Sequence, residues 1–318
     1  MIVRIIKNRM VRIGWVVVFA LVSLRMPAQS GNEVVQFSSA LNRFLNVRDF
    51  CISESGYEAY FTIQSPFQEI SQIARITKKN NEWTAPELLS FSDAYKDLEP
   101  FLSSDGKRLY FASDRPLDNS TQEKKDFDIW YVERNGPKDE WSKPKNLGAP
   151  VNSTLDEFYP TLSENNNLYF TLESPNGLGK DDIYFSRWEN GTYSSPVLLD
   201  ENINSSGYEF NAFISKKEDY LLFSKYNEEG GLGSGDLYIS RKDAHGNWGK
   251  AENIGAPINT KYMEYCPFYD EKNQILYFTS RRNDMAPRTF GSVSEFQEYI
   301  YGSNNGLSKI YMKSFIIK

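Results

Sequence analysis

Histidine is almost absent. The 318-residue chain has one, His245, and only two cysteines, Cys51 and Cys266. A single imidazole argues against a histidine general base, a serine triad or a zinc site of the usual ligand types. His245 stands in the polar stretch "DAHGNW" and reads as a solvated turn residue. Long apolar runs are missing too. The run "IGWVVVFALVSL" (13–24) has 12 residues, short of the roughly 20 that a bilayer-spanning helix needs. A basic stripe is the third absence. Lys and Arg are spread along the chain, so a phosphate backbone finds no footprint and nucleic acid is not an expected partner.

What is present at the start has the layout of a secretory signal peptide over residues 1–30. Arg4, Lys7, Arg9 and Arg12 precede the apolar run, and Ala28-Gln29-Ser30 offers small residues for cleavage. An uncleaved anchor is the alternative. No cysteine follows the run, which argues against a lipid-modified N-terminus. Export to the periplasm or the extracellular space is therefore expected, with no transmembrane span after cleavage. Removing the segment takes five basic residues (Arg25 is the fifth) from 36, against 42 acidic ones, leaving a net charge of −11. The remaining residues, 31–318, contain enough aromatics to bury a core rather than stay disordered.

Internal repetition organises that remainder. "AYFTI", "LYFAS", "LYFTL", "LLFSK" and "LYFTS" place Phe61, Phe111, Phe170, Phe223 and Phe278 at intervals of 50, 59, 53 and 55 residues. Each interval has room for four short strands. A first strand such as "EPFLS" leads through a turn like "SDGK", where glycine tolerates positive φ, into the aromatic second strand. A third strand alternates ("DIWYVER", "DIYFSRW", "DLYISRK", "KIYMKSF"), and a weaker fourth follows ("WTAPELL", "WSKPKNL", "YSSPVLL", "WGKAENI"). The expected fold is an all-β propeller of five four-stranded blades, starting near residues 49, 97, 157, 209 and 264. The last unit lacks its fourth strand, and "EVVQFSSA" (33–40) resembles "ELLSFSDA" (87–94). The N-terminal segment is thus expected to complete the last blade and remove an open edge. The glycine-rich stretches "NGLGKDDIYFSR" and "GGLGSGDLYISR" recur between second and third strands with no helix after them. They read as tight inter-strand loops rather than phosphate loops.

"LYFASDR", "NLGAPVNS", "NIGAPINT" and the "GLG…DIY" and "GLG…DLY" loops resemble the WD-like propeller repeats of the bacterial TolB type, over nearly all of residues 49–318. The resemblance implies a secreted propeller used mainly for protein–protein contact at the cell envelope.

Acids recur in register. Asp97, Glu157, Glu209 and Glu264 stand three positions before the proline column of the first strand, with Val47 in the first blade. Two readings compete. Each carboxylate accepts backbone N–H bonds and sets the angle between blades, or together they ring one channel mouth and hold a cation or a basic segment. Repetition favours packing, because catalytic groups differ between blades. Asp128, Asp182 and Asp236 open third strands and are expected to bond within their own loops. Calcium remains open for such oxygen-rich loops, though no cation-loop spacing is matched, and no other cofactor or metal is expected.

Asymmetry sits in two long loops, 114–127 in blade two and 281–308 in blade five. The second contains "SVSEFQEYIYG", in which Val293, Phe296, Tyr299 and Ile300 share one helical face, with Ser292 or Ser294 as the cap. A lid that buries its own aromatics is the bland reading. Loops between second and third strands open on one face, here the upper face, as do the connections into first strands. The candidate partner-binding surface combines Asp97, Glu157, Glu209 and Glu264 with Arg115, Arg281, Arg282, Phe290, Phe296, Tyr299 and Tyr301. Cys51 and Cys266 have the same strand parity in neighbouring blades and are expected to be free, buried thiols. The functional expectation is a non-catalytic, monomeric binding module for an envelope or secreted protein. The alternative is a glycan-binding or glycoside-hydrolysing propeller with paired channel carboxylates.

Overall fold

The computed structural model describes residues 33–117 and 125–317. The expected signal peptide, and part of the blade-two loop, lie outside them. The architecture is a five-bladed propeller of antiparallel sheets. First strands are Asn46–Ile52, Asp97–Leu102, Glu157–Leu162, Glu209–Ile214 and Glu264–Asp270. Each pairs with a second strand, which pairs with a third, which pairs with a two-residue fourth at the outer edge. Neighbouring first strands pack side by side around the axis, and the first blade's strand returns to the last.

The ring closes through the N-terminus. Val35–Gln36 pairs with Lys309–Ser314, with Val35 opposite Met312 and Gln36 opposite Tyr311. The last sheet therefore joins both ends of the chain and leaves no long unpaired edge. The phenylalanine column explains why the blades stack. Phe61, Phe111, Phe170, Phe223 and Phe278 are all completely buried, each contributing about 1.5–3 kcal/mol of hydrophobic stabilisation.

One feature is shared by all five first strands. Each pairing register shifts between the first and fourth residue after the column position, at Arg48/Cys51, Leu98/Phe101, Phe158/Thr161, Phe210/Phe213 and Tyr265/Phe268. Inside every shift one non-glycine residue has positive φ: Asp49 (60°), Glu99 (60°), Tyr159 (50°), Asn211 (53°) and Cys266 (52°). A side chain pays roughly 1–2 kcal/mol to sit there. Bulges of this kind re-aim a side chain. Five of them at one level build the site.

Candidate functional site

The acidic column does not face a partner. Asp97, Glu157, Glu209 and Glu264 have no exposed surface, a correction to their place on the candidate partner-binding surface and in line with the packing reading that repetition favours. Their oxygens are used in connecting blades. Glu157 accepts the Ser153 amide (3.2 Å) and hydroxyl (2.5 Å). Glu209 does the same with Ser205 (2.9 and 2.6 Å), and Glu264 with Thr260 (2.7 and 2.9 Å). The residue before each hydroxyl is an asparagine that grips the previous blade. Asn152, Asn204 and Asn259 each accept from and donate to the backbone of Ile129, Ile183 and Leu237 in third strands. Asn-Ser/Thr-x-x-x-Glu is thus a staple between successive blades.

Arg115 and Arg282 belong to the same device, a second correction. Arg115 is buried and binds both oxygens of Asp97 at 2.7 Å. Arg282 lies 3.5 Å from Glu264 and donates to the carbonyls of Pro257 (2.9 Å) and Ile258 (2.5 Å). Lys225 serves Glu209 at 3.1 Å. Among the described residues no cation forms an ion pair with Glu157, and burial pushes its carboxyl up to about 7.

The re-aimed residues form an asymmetric cluster on the axis. Arg48 donates through Nε to Asp49 Oδ1 (2.6 Å) and through its terminal nitrogen to Glu99 Oε1 (2.8 Å). Glu99 Oε2 accepts the Tyr159 amide (2.7 Å), and Asn211 Nδ2 donates to Glu99 Oε1 (3.3 Å). Asp49 Oδ2 accepts the Glu99 amide (3.3 Å) and Asp49 Oδ1 the Cys266 thiol (2.8 Å). All four carboxylate oxygens are occupied. Burial, reinforced by neighbouring Asp49, pushes Glu99 up to about 7 even though Arg48 opposes the shift. Burial likewise holds the Cys266 thiol protonated, as a donor. Both cysteines are free and buried.

Why glutamate stands at 99 can be read from its neighbours. The bulge amides of Asp49, Glu99 and Asn211 donate to Thr279, Thr62 and Thr171, each following the phenylalanine of the preceding blade. Blade two has Ala112 there, with no hydroxyl to offer the Tyr159 amide. The Glu99 carboxylate takes its place.

Above this floor opens a funnel of about 460 Å³. The residue before each bulge lines it: Arg48, Leu98, Phe158, Phe210 and Tyr265. Phe127 packs on Phe158 (4.9 Å between rings), and Lys96, Asp181, Met263 and Arg281 line the upper wall together with Gln64, Gln68 and Ser71. Arg48 and Arg281 both lie over the Tyr265 ring, at 5.1 and 5.6 Å. Of the residues singled out in the sequence, Arg281 alone enters the funnel. The five pre-bulge residues carried one sequence signal, since each follows the acidic column by one position and so faces the other way.

The blade-five loop is an outwork. Its helix, Val293–Ile300, is capped by Ser292, whose hydroxyl accepts the Glu295 amide (3.1 Å), and has no buried residue. Phe290, Phe296 and Tyr299 pack on one another (5.0 and 5.4 Å between rings) with Arg288 across two of them. Phe296 and Tyr301 remain exposed. Phe290 and Tyr299 are half-buried in this cluster, so the loop covers part of its aromatics and displays the rest. Every other blade also presents an apolar side chain on the upper face: Phe67, Leu117, Leu178 and Leu232. Among the described residues, 11 of the 15 exposed large hydrophobics lie on upper-face loops or at strand ends beside them.

The loop aspartates bond locally. Asp182 accepts the Leu178 (2.8 Å) and Gly179 (3.1 Å) amides, Asp236 the Leu232 amide (2.6 Å), and Asp128 the Lys125 ammonium (3.0 Å). No group of three or more potential metal-ligating side chains occurs among the described residues. Nor is any helix among them long and apolar enough to cross a membrane.

No protein-family model matches the chain, and no curated protein matches it either. Solved structures match by fold. The α-L-arabinofuranosidase from Lactobacillus brevis is 14% identical, with a TM-score of 0.51 over 84% of this chain and 90% of that one. An α-L-arabinofuranosidase from Podospora anserina, solved in complex with cellotriose, is 13% identical, with a TM-score of 0.51 over 85% and 90%. A protein from Agrobacterium tumefaciens described as TolB is 13% identical, with a TM-score of 0.49 over 85% and 91%. At these identities the likeness is one of propeller fold.

Proposed function

We propose that this protein is a non-catalytic binding propeller that receives a protein partner on its upper face. The observation that carries the reading is the gathering of exposed apolar side chains on the upper loops of all five blades, around one funnel. Scattered apolar residues need no explanation, but a rim of them marks an interaction surface. The axial carboxylates support it from the other side. Asp49 and Glu99 are committed to Arg48, a thiol and backbone amides, so neither oxygen pair stands free to act on a substrate. The N-terminal pattern supports an exported location at the cell envelope.

The test is crosslinking in the native cell with the wild type and a Phe67→Ser/Leu178→Ser/Leu232→Ser variant, after circular dichroism shows both folded. A partner held by the wild type and lost by the variant supports the reading. Equal capture by both removes the rim from it.

One observation favours glycoside hydrolysis as the second reading. Glu99, at about 7, has the value of a general acid and lines an aromatic-walled funnel. Release of sugar by the wild type and not by Glu99→Gln would establish it.

A further inference from the structure

Cations near the axis are mostly consumed. Arg48, Arg115, Lys225 and Arg282 each face a carboxylate within 3.5 Å. Two in the funnel wall do not. Arg281 donates through Nε only to the Ser308 hydroxyl (3.2 Å) and otherwise lies over Tyr265. The half-buried Lys96 ammonium has no hydrogen bond or ion pair among the described residues, only the through-space field of exposed Glu69.

Their positions share one side of the funnel. Lys96 precedes the first strand of blade two, and Arg281 follows the second strand of blade five, so they flank blade one. Asp181, before the third strand of blade three, stands across the axis from them. Between the two poles lie Phe158 and Phe210, which offer nothing to hydroxyl groups. We infer that the funnel takes a short polypeptide segment bearing a carboxylate beside an apolar side chain, with the carboxylate held between Lys96 and Arg281. This deepens the reading of the upper face as a protein-binding surface and rests on it.

Charge complementarity chooses the ligand. Two half-buried cations without counter-ions gain most from a carboxylate, through charge-assisted hydrogen bonds. The apolar side chain covers Phe158 and Phe210, and a backbone N–H or basic group of the same segment faces Asp181. A neutral sugar could bond Gln64, Gln68 and Ser71 in the same wall, but it would leave both cations without a counter-charge.

The test is selection of phage-displayed random heptapeptides on the full chain and on a Lys96→Gln/Arg281→Gln variant, with trigalacturonate titrated in parallel. Neither substituted side chain belongs to the axial network, and circular dichroism checks the fold. The expected result is enrichment of Asp or Glu next to Phe, Tyr or Leu. The leading synthetic peptide should bind the variant about tenfold more weakly or worse, as should its Asn or Gln counterpart on the wild type. Enriched peptides without an acid, or equal affinity for the variant, overturn the carboxylate assignment and leave the upper-face reading standing. No enrichment while rim-dependent partner capture persists overturns the funnel inference alone. Binding of trigalacturonate without any enriched peptide overturns both in favour of a glycan.

Discussion

Replacing Arg48 with methionine tests the axial network most directly. Among the described residues its side chain is the only cation that bonds Asp49 and Glu99, which are 1% and 5% exposed. Removing one partner of a buried ion pair costs about 3–5 kcal/mol, because the charge left behind has no solvent. Here two carboxylates are left, so the upper end of that range is expected at pH 8. The pH dependence gives the sharper signature. Glu99 already sits above its ordinary 4.5, at about 7, and loss of Arg48 raises it further. The folded variant then binds more protons than the unfolded chain from about pH 4.5 upward, so its stability falls as pH rises through that window. Each further unit costs about 1.4 kcal/mol once both states are ionised. Wild type and variant should therefore lose stability in parallel from about pH 4.5 to about 7, and above about 7 only the variant goes on losing it, so the gap is constant at lower pH and widens from pH 7 to 8. Urea unfolding followed by tryptophan fluorescence reads it, and adding Glu99→Gln should recover about 2 kcal/mol. A pH-independent loss below about 1 kcal/mol would refute the assignment.

Two further outcomes follow from the staples and the loops. Glu157, moved by burial from 4.5 to about 7, makes the wild type lose roughly 3 kcal/mol of stability as pH rises between those values. Glu157→Gln, which still accepts from Ser153, should flatten that slope and raise the melting temperature at pH 8; an unchanged profile contradicts the burial argument. A Cβ on Gly233 would meet the Tyr262 carbonyl at 2.1 Å and the Thr260 carbonyl at 2.3 Å, whereas on Gly148 (φ +75°) it would meet nothing within 4 Å. Gly233→Ala should thus destabilise by more than about 2 kcal/mol and Gly148→Ala by about 1, and equal losses in thermal melts would show that the glycine loop is not packed as described.

Much of the scaffold is legible in the sequence because it rests on local, repeated chemistry. Alternating strands, Asp-Gly turns and a phenylalanine every 50 to 59 residues specify blades. The resemblance of "EVVQFSSA" to "ELLSFSDA" specifies which strand closes the ring. Even the staple is written out, as Asn152-Ser153…Glu157, Asn204-Ser205…Glu209 and Asn259-Thr260…Glu264. Regularity of this kind also favoured the packing role of the acidic column, which its bonds to Ser153, Ser205 and Thr260 bear out. What the sequence did not show was that the same acids are sealed from the surface, so they drop out of the partner-binding face.

The axial site is different in kind. Its five members, Asp49, Glu99, Tyr159, Asn211 and Cys266, share no chemistry and include no glycine to announce positive φ. Strand parity would aim each to the same side as the acid two positions earlier. A bulge in each first strand turns it toward the axis instead, and in four of the five the bulge amide is held from another blade, by Thr62, Thr171, Thr279 or Glu99. Local sequence thus determined the blades and their number, through contacts between residues near in the chain, and a repeated segment marked the strand that closes the ring. The tertiary ring decided which residues meet at its centre, because the bonds that offset the backbone strain there join residues 37 to 230 positions apart.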